Sequence, residues 1–171
     1  MFPEPQASIR RATPADLALV AGLYEQLVAD QVARGWTGTP TPPAESRAYI
    51  AARLARPQVH YLIASRAGVA LGFVEAAMFQ PQGSLPARLL RRIFPSRSPR
   101  SSVGYIHNIF VAAEGRGRGV GSLLLQAAIA ALKPVGLRRL RAHVIPGNEA
   151  SFALFAKAGL LPTQTAVEGD V

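Results

Sequence analysis

No cysteine occurs among the 171 residues, which removes disulfides and thiolate metal sites from consideration. Lysine is nearly absent too: two lysines stand beside 17 arginines, and only 10 acidic residues oppose them, for a formal net charge of +9. That sign favours acidic partners without naming one, and arginine in place of lysine with abundant alanine is equally the mark of a GC-rich genome. No apolar run approaches the ~18 residues needed to span a bilayer, so no membrane partner is expected. The opening Met1-Phe2-Pro3-Glu4-Pro5 lacks the charged and apolar regions of a secretory leader, and a cytoplasmic location is the expectation. The length suits one domain, 1–171, with a single core.

What is present is a glycine-rich turn, Arg116-Gly117-Arg118-Gly119-Val120-Gly121, between a strand-like run ending at Val111 and a strongly apolar helical stretch. Such a turn at the start of a helix cradles phosphate. Its amides have no intrahelical partner, the helix dipole adds positive charge, and glycine removes the side chains that would hold an anion away. A P-loop is excluded because Gly121 is followed by Ser122 and Leu123 without a lysine. The dinucleotide fingerprint G-x-G-x-x-G fits no frame, since its sixth position is Val120 or Ser122.

Around this turn the pattern alternates helices and strands. Ile9-Arg10-Arg11 reads as a first strand, and Thr13-Pro14 as the capped start of a helix reaching about Asp30, with Leu17, Val20, Leu23, Tyr24, Leu27 and Val28 on one face. A second helix is expected over 44–54, a hairpin over 59–65 and 69–79 about the turn Arg66-Ala67-Gly68, a helix over 122–132 and a strand over 139–145. Asn148 is placed to cap a last helix that ends at Gly159. Glu75 stands inside a strand, which points to a cleft or to water. Segment 80–102, with four prolines and five arginines, is too long for a simple connection and reads as a basic loop.

The six-residue turn fits [Arg/Gln]-x-x-Gly-x-[Gly/Ala] through Arg116, Gly119 and Gly121, and resembles the acetyl-CoA pyrophosphate loop of the GNAT superfamily of N-acetyltransferases. Tyr105-Ile106-His107-Asn108-Ile109-Phe110-Val111 resembles that family's fourth strand, and 148–160 its asparagine-led helix. The resemblance implies an α/β domain (α+β in its layering) with a mixed, mostly antiparallel twisted sheet flanked by helices and a splayed fourth and fifth strand pair. It implies acetyl-CoA as cosubstrate, no metal, and a small-molecule or peptide amine as acceptor. Backbone groups of Ile109, Phe110 and Val111 would hold the pantetheine arm as an added strand. Amides from Arg116, Gly117, Arg118, Gly119, Val120, Gly121 and Ser122 would bind the pyrophosphate, and Asn148 would contact the cosubstrate beyond the gap.

Under the same resemblance the first two helices border the acceptor, bringing Trp36 and Tyr49 near it. His107 is the candidate base for the attacking amine. Many family members place a tyrosine seven residues after the motif asparagine to protonate the leaving thiolate, but Phe155 stands here. Tyr105, Ser151 or water would replace it. A non-catalytic acyl-CoA-binding module is the alternative, and a nucleic-acid partner is disfavoured because the basic segment lacks interleaved aromatics. Only ten residues follow Leu161, enough for one short strand at 163–167, so a bare sheet edge would be exposed, covered, or paired in a homodimer.

Overall fold

Alternating apolar residues and helical periodicity divide the chain nearly as expected. In the computed structural model, which describes residues 7–36, 41–78 and 103–163, one sheet is built from β1 (Ser8–Arg11), β2 (Val59–Arg66), β3 (Val69–Met78), β4 (Val103–Val111) and β5 (Arg139–Ala142). The strands lie in sequence order. The first three pairs are antiparallel and β4–β5 is parallel, so the sheet is mixed and mostly antiparallel. The basic segment 80–102 and nearly all of the expected strand at 163–167 lie outside the described residues.

Among the described residues, four helices cover the two faces: α1 (Leu17–Ala33), α2 (Pro43–Leu54), α3 (Val120–Leu132) and α4 (Glu149–Lys157). The start of α1 differs from expectation. A short 3-10 turn at Pro14–Asp16 precedes it, and the Asp16 carboxylate accepts from the Thr13 N–H at 2.8 Å and hydroxyl at 3.0 Å. Arg10 grips the same carboxylate, and with Thr13 holds it well below the usual carboxylate range.

The sheet separates two cores. Beneath α1 and α2 lie Val20, Leu23, Leu27, Ile50, Tyr61, Ile63, Phe73 and Phe110. Beneath α3 and α4 lie Leu62, Val74, Ile106, Leu124, Leu125, Leu132 and Phe155. Residues 59–64 of β2 and 73–78 of β3 alternate between them, as period-two geometry requires. Backbone approach is tightest at Gly72, where a Cβ would fall 2.3 Å from the Phe110 carbonyl oxygen, so β3 and β4 meet there only because the side chain is missing.

The β2–β3 hairpin closes through Ala67 and Gly68, both at positive φ (48° and 79°), with Arg66 paired to Val69. A two-residue turn with both φ values positive matches the right-handed strand twist, and asparagine followed by glycine suits it best. Alanine pays the left-handed steric cost. Ala67→Asn is therefore expected to stabilise the protein by about 1 kcal/mol, read as a higher urea midpoint at unchanged slope.

Candidate active site

Two neighbouring strands that part company create the site. β4 and β5 pair only from Val103↔Arg139 to Ile106↔Ala142. Beyond that point β4 stays with β3 as far as Val111, whereas β5 ends at Ala142, three residues short of the expected strand. The result is a V-shaped gap with its apex at Ile106 and Ala142. Residues from both sides of the sheet line it, including Leu27 and Gln31 of α1, His107 to Ile109 of β4, His143 to Ile145, and Asn148, Ser151 and Phe155.

A β-bulge shapes the β4 wall. Glu75 pairs with Asn108 and Ala76 with Ile106, leaving His107 as the extra residue. Ile106 belongs to the core under α3 and α4, while Asn108 donates to Glu75 on the other face, so the bulge puts His107 and Asn108 consecutively on the α1/α2 side. Ile109 then packs under α3 and Phe110 under α1 and α2. Strict alternation puts Tyr105 and His107 on one face, and their rings do lie 5.4 Å apart. The His107 imidazole keeps contact with solvent, yet its pKa is lowered. Desolvation is the main cause, Glu75 opposes it, and Arg53 and His143 add to it.

The glycine-rich turn follows β4 directly. Gly117 and Gly119 have φ of 72° and 77°, and Gly119 is the residue before α3. A Cβ at either would meet no protein atom within 4 Å, so the turn opens on free space while its backbone needs glycine. The first amides of α3, at Val120, Gly121 and Ser122, have no acceptor within the helix. α3 begins at Val120, two residues earlier than expected, because Val120 is buried and anchors the first turn. The Arg116 side chain is committed elsewhere. Its Nε donates to the Val111 carbonyl at 3.0 Å, its Nη2 to Asp30 of α1 at 3.0 Å, and the guanidinium lies 5.9 Å from the Phe110 ring centre. Arg116 thereby ties the turn to α1.

Under the bulge lies a buried ion pair. Glu75 is fully buried, so neither water nor an open cleft explains it. It pairs with Arg53 near the end of α2, accepts from Asn108 Nδ2 at 2.7 Å, and lies opposite Tyr61 in the β2–β3 register. The Tyr61 hydroxyl is pushed far above its ordinary pKa, first by burial and then by the Glu75 charge. Asn108 thus links the bulge to the buried carboxylate. Tyr49 and Tyr24, with Thr41, Glu45 and Ser46, line a separate hollow between α1 and α2, and Arg53 sits 5.5 Å from the centre of the Tyr49 ring. Trp36 is half-buried just after α1 and is not among the residues of that hollow.

On the β5 side, Asn148 Oδ1 accepts from the Ser151 N–H at 3.1 Å, the helix cap expected of it, while the residue also faces the gap. Phe155 is buried at the gap wall. His143 was not among the sequence candidates. Its Nε2 lies 2.9 Å from the Tyr105 hydroxyl across the β4–β5 pair. The only local signal was alternation, which made it one more polar residue on an exposed strand face.

The model of the family described as "Acetyltransferase (GNAT) family" matches residues 25–160. An L-methionine sulfoximine/L-methionine sulfone acetyltransferase of Pseudomonas paraeruginosa is 32% identical over 154 residues, covering 90% of this chain and 79% of that protein. Its counterpart in Pseudomonas aeruginosa matches to the same extent. Among solved structures, an aminoglycoside N-acetyltransferase in complex with CoA superposes with a TM-score of 0.71 at 23% identity, covering 100% of this chain and 99% of the other. A protein of Clostridium acetobutylicum described as a "predicted acetyltransferase", solved with acetyl-CoA, gives a TM-score of 0.71 at 16% identity, with 96% of each chain covered.

Removing one member of a buried pair leaves the other charge uncompensated, at a cost of about 3–5 kcal/mol, whereas replacing both by apolar residues is near neutral. Glu75→Ala is expected to show that loss in urea unfolding, and Arg53→Met combined with Glu75→Leu to recover most of it. Additive losses in the double variant would mean that the two residues act independently.

Proposed function

The chain belongs to the GNAT family of acetyltransferases, and from that premise we propose that it transfers the acetyl group of acetyl-CoA to a small-molecule amine by direct attack within the β4–β5 gap. The observation that carries the reading is the V-shaped gap ending in the glycine-rich turn. A linear donor with a diphosphate at one end and a thioester at the other fits it in one orientation. The diphosphate lies against amides from Arg116, Gly117, Arg118, Gly119, Val120, Gly121 and Ser122, where the helix dipole favours an anion. The pantetheine arm runs along the free edge of β4 beside Ile109, Phe110 and Val111 by strand addition. The thioester then reaches the apex, beside His107.

Chemistry at the apex has one main obstacle. A primary amine is almost wholly protonated near neutrality, and removing its proton costs about 4–5 kcal/mol. His107, raised out of the ladder by the bulge, takes that proton. The amine nitrogen then forms its bond to the thioester carbon, polarised by backbone N–H groups of β4, and the carbon–sulfur bond breaks. The hollow of Tyr24, Thr41, Glu45, Ser46 and Tyr49 borders the acceptor. The sulfoximine and sulfone acetyltransferases of Pseudomonas make a small amino acid bearing a polar side-chain head the first acceptor class to try. The place of Asn148 on the gap lining favours contact with the pantetheine arm in addition to its capping role.

The test is CoA release from acetyl-CoA with L-methionine sulfoximine, L-methionine sulfone and a panel of other amines. Turnover with an amine is expected, and tight acetyl-CoA binding without turnover on any amine would favour a non-catalytic binding module. His107→Gln is expected to lower kcat by about 10²-fold or more with acetyl-CoA binding intact. The sign of the pH dependence follows from the lowered pKa of His107. The base works only when neutral, so kcat/KM stays high below the ordinary histidine value near 6.5 and falls as pH drops through the lower one. His107→Gln should erase that acid limb, and an unchanged limb would remove His107 from the role.

A further inference from the structure

We infer that His143 is the acid that protonates the leaving thiolate and that Tyr105 is the residue that orients it, an assignment that rests on the acetyltransferase reading above. Two histidines flank the apex of the gap. The last paired residues are Ile106 and Ala142, so the first residues beyond it are His107 on one wall and His143 on the other. Both line the gap. A donor whose diphosphate sits at the glycine-rich turn brings its sulfur to this apex, between two imidazoles.

The two rings have different surroundings, which separates their roles. His107 lies over Glu75 and Arg53 on the face toward α1 and α2, where the acceptor arrives, and its pKa is lowered. His143 is exposed to solvent and has its Nε2 fixed at 2.9 Å from the Tyr105 hydroxyl, with the two rings edge to face at 5.4 Å. In the charged form Nε2–H donates to the Tyr105 oxygen and Nδ1–H remains to serve the gap. Hydrogen bonding at one ring nitrogen sets the orientation of the other.

The proton balance closes with water as the only other proton carrier. An ammonium acceptor first gives one proton through His107 to water; the neutral amine nitrogen then forms its bond to the acetyl carbon, and its second proton goes to His107. The carbon–sulfur bond breaks with its electron pair on sulfur, and sulfur takes the Nδ1 proton of His143. His143 is left neutral and His107 charged, and each resets by exchange with water. Phe155, on the same gap wall, has no proton to offer, so the acid comes from the residue that follows β5 instead of from α4.

Leaving-group dependence tests this, because assistance by an acid matters for a poor leaving group and little for a good one. Single-turnover acetyl transfer would be measured for wild type, His143→Gln and Tyr105→Phe with acetyl-CoA and with the acetyl selenoester of seleno-CoA, whose selenol is the more acidic leaving group. CoA binding by calorimetry would verify that each variant keeps its site. The expected result is a loss of about tenfold or more in His143→Gln with acetyl-CoA and a much smaller loss with the selenoester, Tyr105→Phe showing the same contrast more weakly. Equal losses with both donors would make His143 a structural residue, and no loss with either would leave it without a role. If wild type acetylates no amine from either donor, the acetyltransferase reading fails, and this assignment fails with it.

Discussion

A parallel sheet pair normally stays together because each strand satisfies the other's backbone. Here β4 and β5 do so for four residues and then separate, and most of what the molecule can do follows from that separation. Among the described residues no strand pairs with β4 on that side beyond Ile106, and the proposed donor would fill that edge as an added strand. β3 holds β4 on its other side through Val111, so the strand keeps its course while β5 turns away. The close approach at Gly72 and the Arg116 bridge to Asp30 and Val111 both fix the Val111 end of that wall.

The bulge at His107 adds direction to the gap. With regular pairing, His107 and Asn108 would face opposite sides of the sheet. The extra residue puts both toward α1 and α2, where Asn108 binds the buried Glu75 and His107 is left at the apex. Glu75 and Arg53 therefore serve the site without entering it. Their charges cancel in the interior, and the Asn108 hydrogen bond joins the bulge to that fixed point. The Glu75 charge also opposes the lowering of the His107 pKa by desolvation.

Much of this was legible in the sequence. The glycine-rich turn, the order of strands and helices and the cap at Asn148 are local, each written in a few adjacent residues. The bulge is not local, because it depends on which residue of β3 faces which residue of β4. Alternation alone brought Tyr105 and His107 together but gave no sign that Asn108 joins that face. Glu75 read as a carboxylate in a cleft or in water because its partner Arg53 lies on α2, two elements earlier. His143 read as a polar strand residue because its meaning comes from where β5 leaves β4, a property of the pair. Arg116 fitted its motif, yet the chain uses its guanidinium to join α1 to the turn, a contact that spans 86 positions.

The measurement closest to the central claim is a crystal structure of the protein with CoA bound. The expected result has the diphosphate on the amides of the glycine-rich turn, the pantetheine arm along the free edge of β4, and the sulfur at the apex between His107 and His143. CoA bound away from the gap, or threaded with its sulfur remote from both histidines, would contradict it.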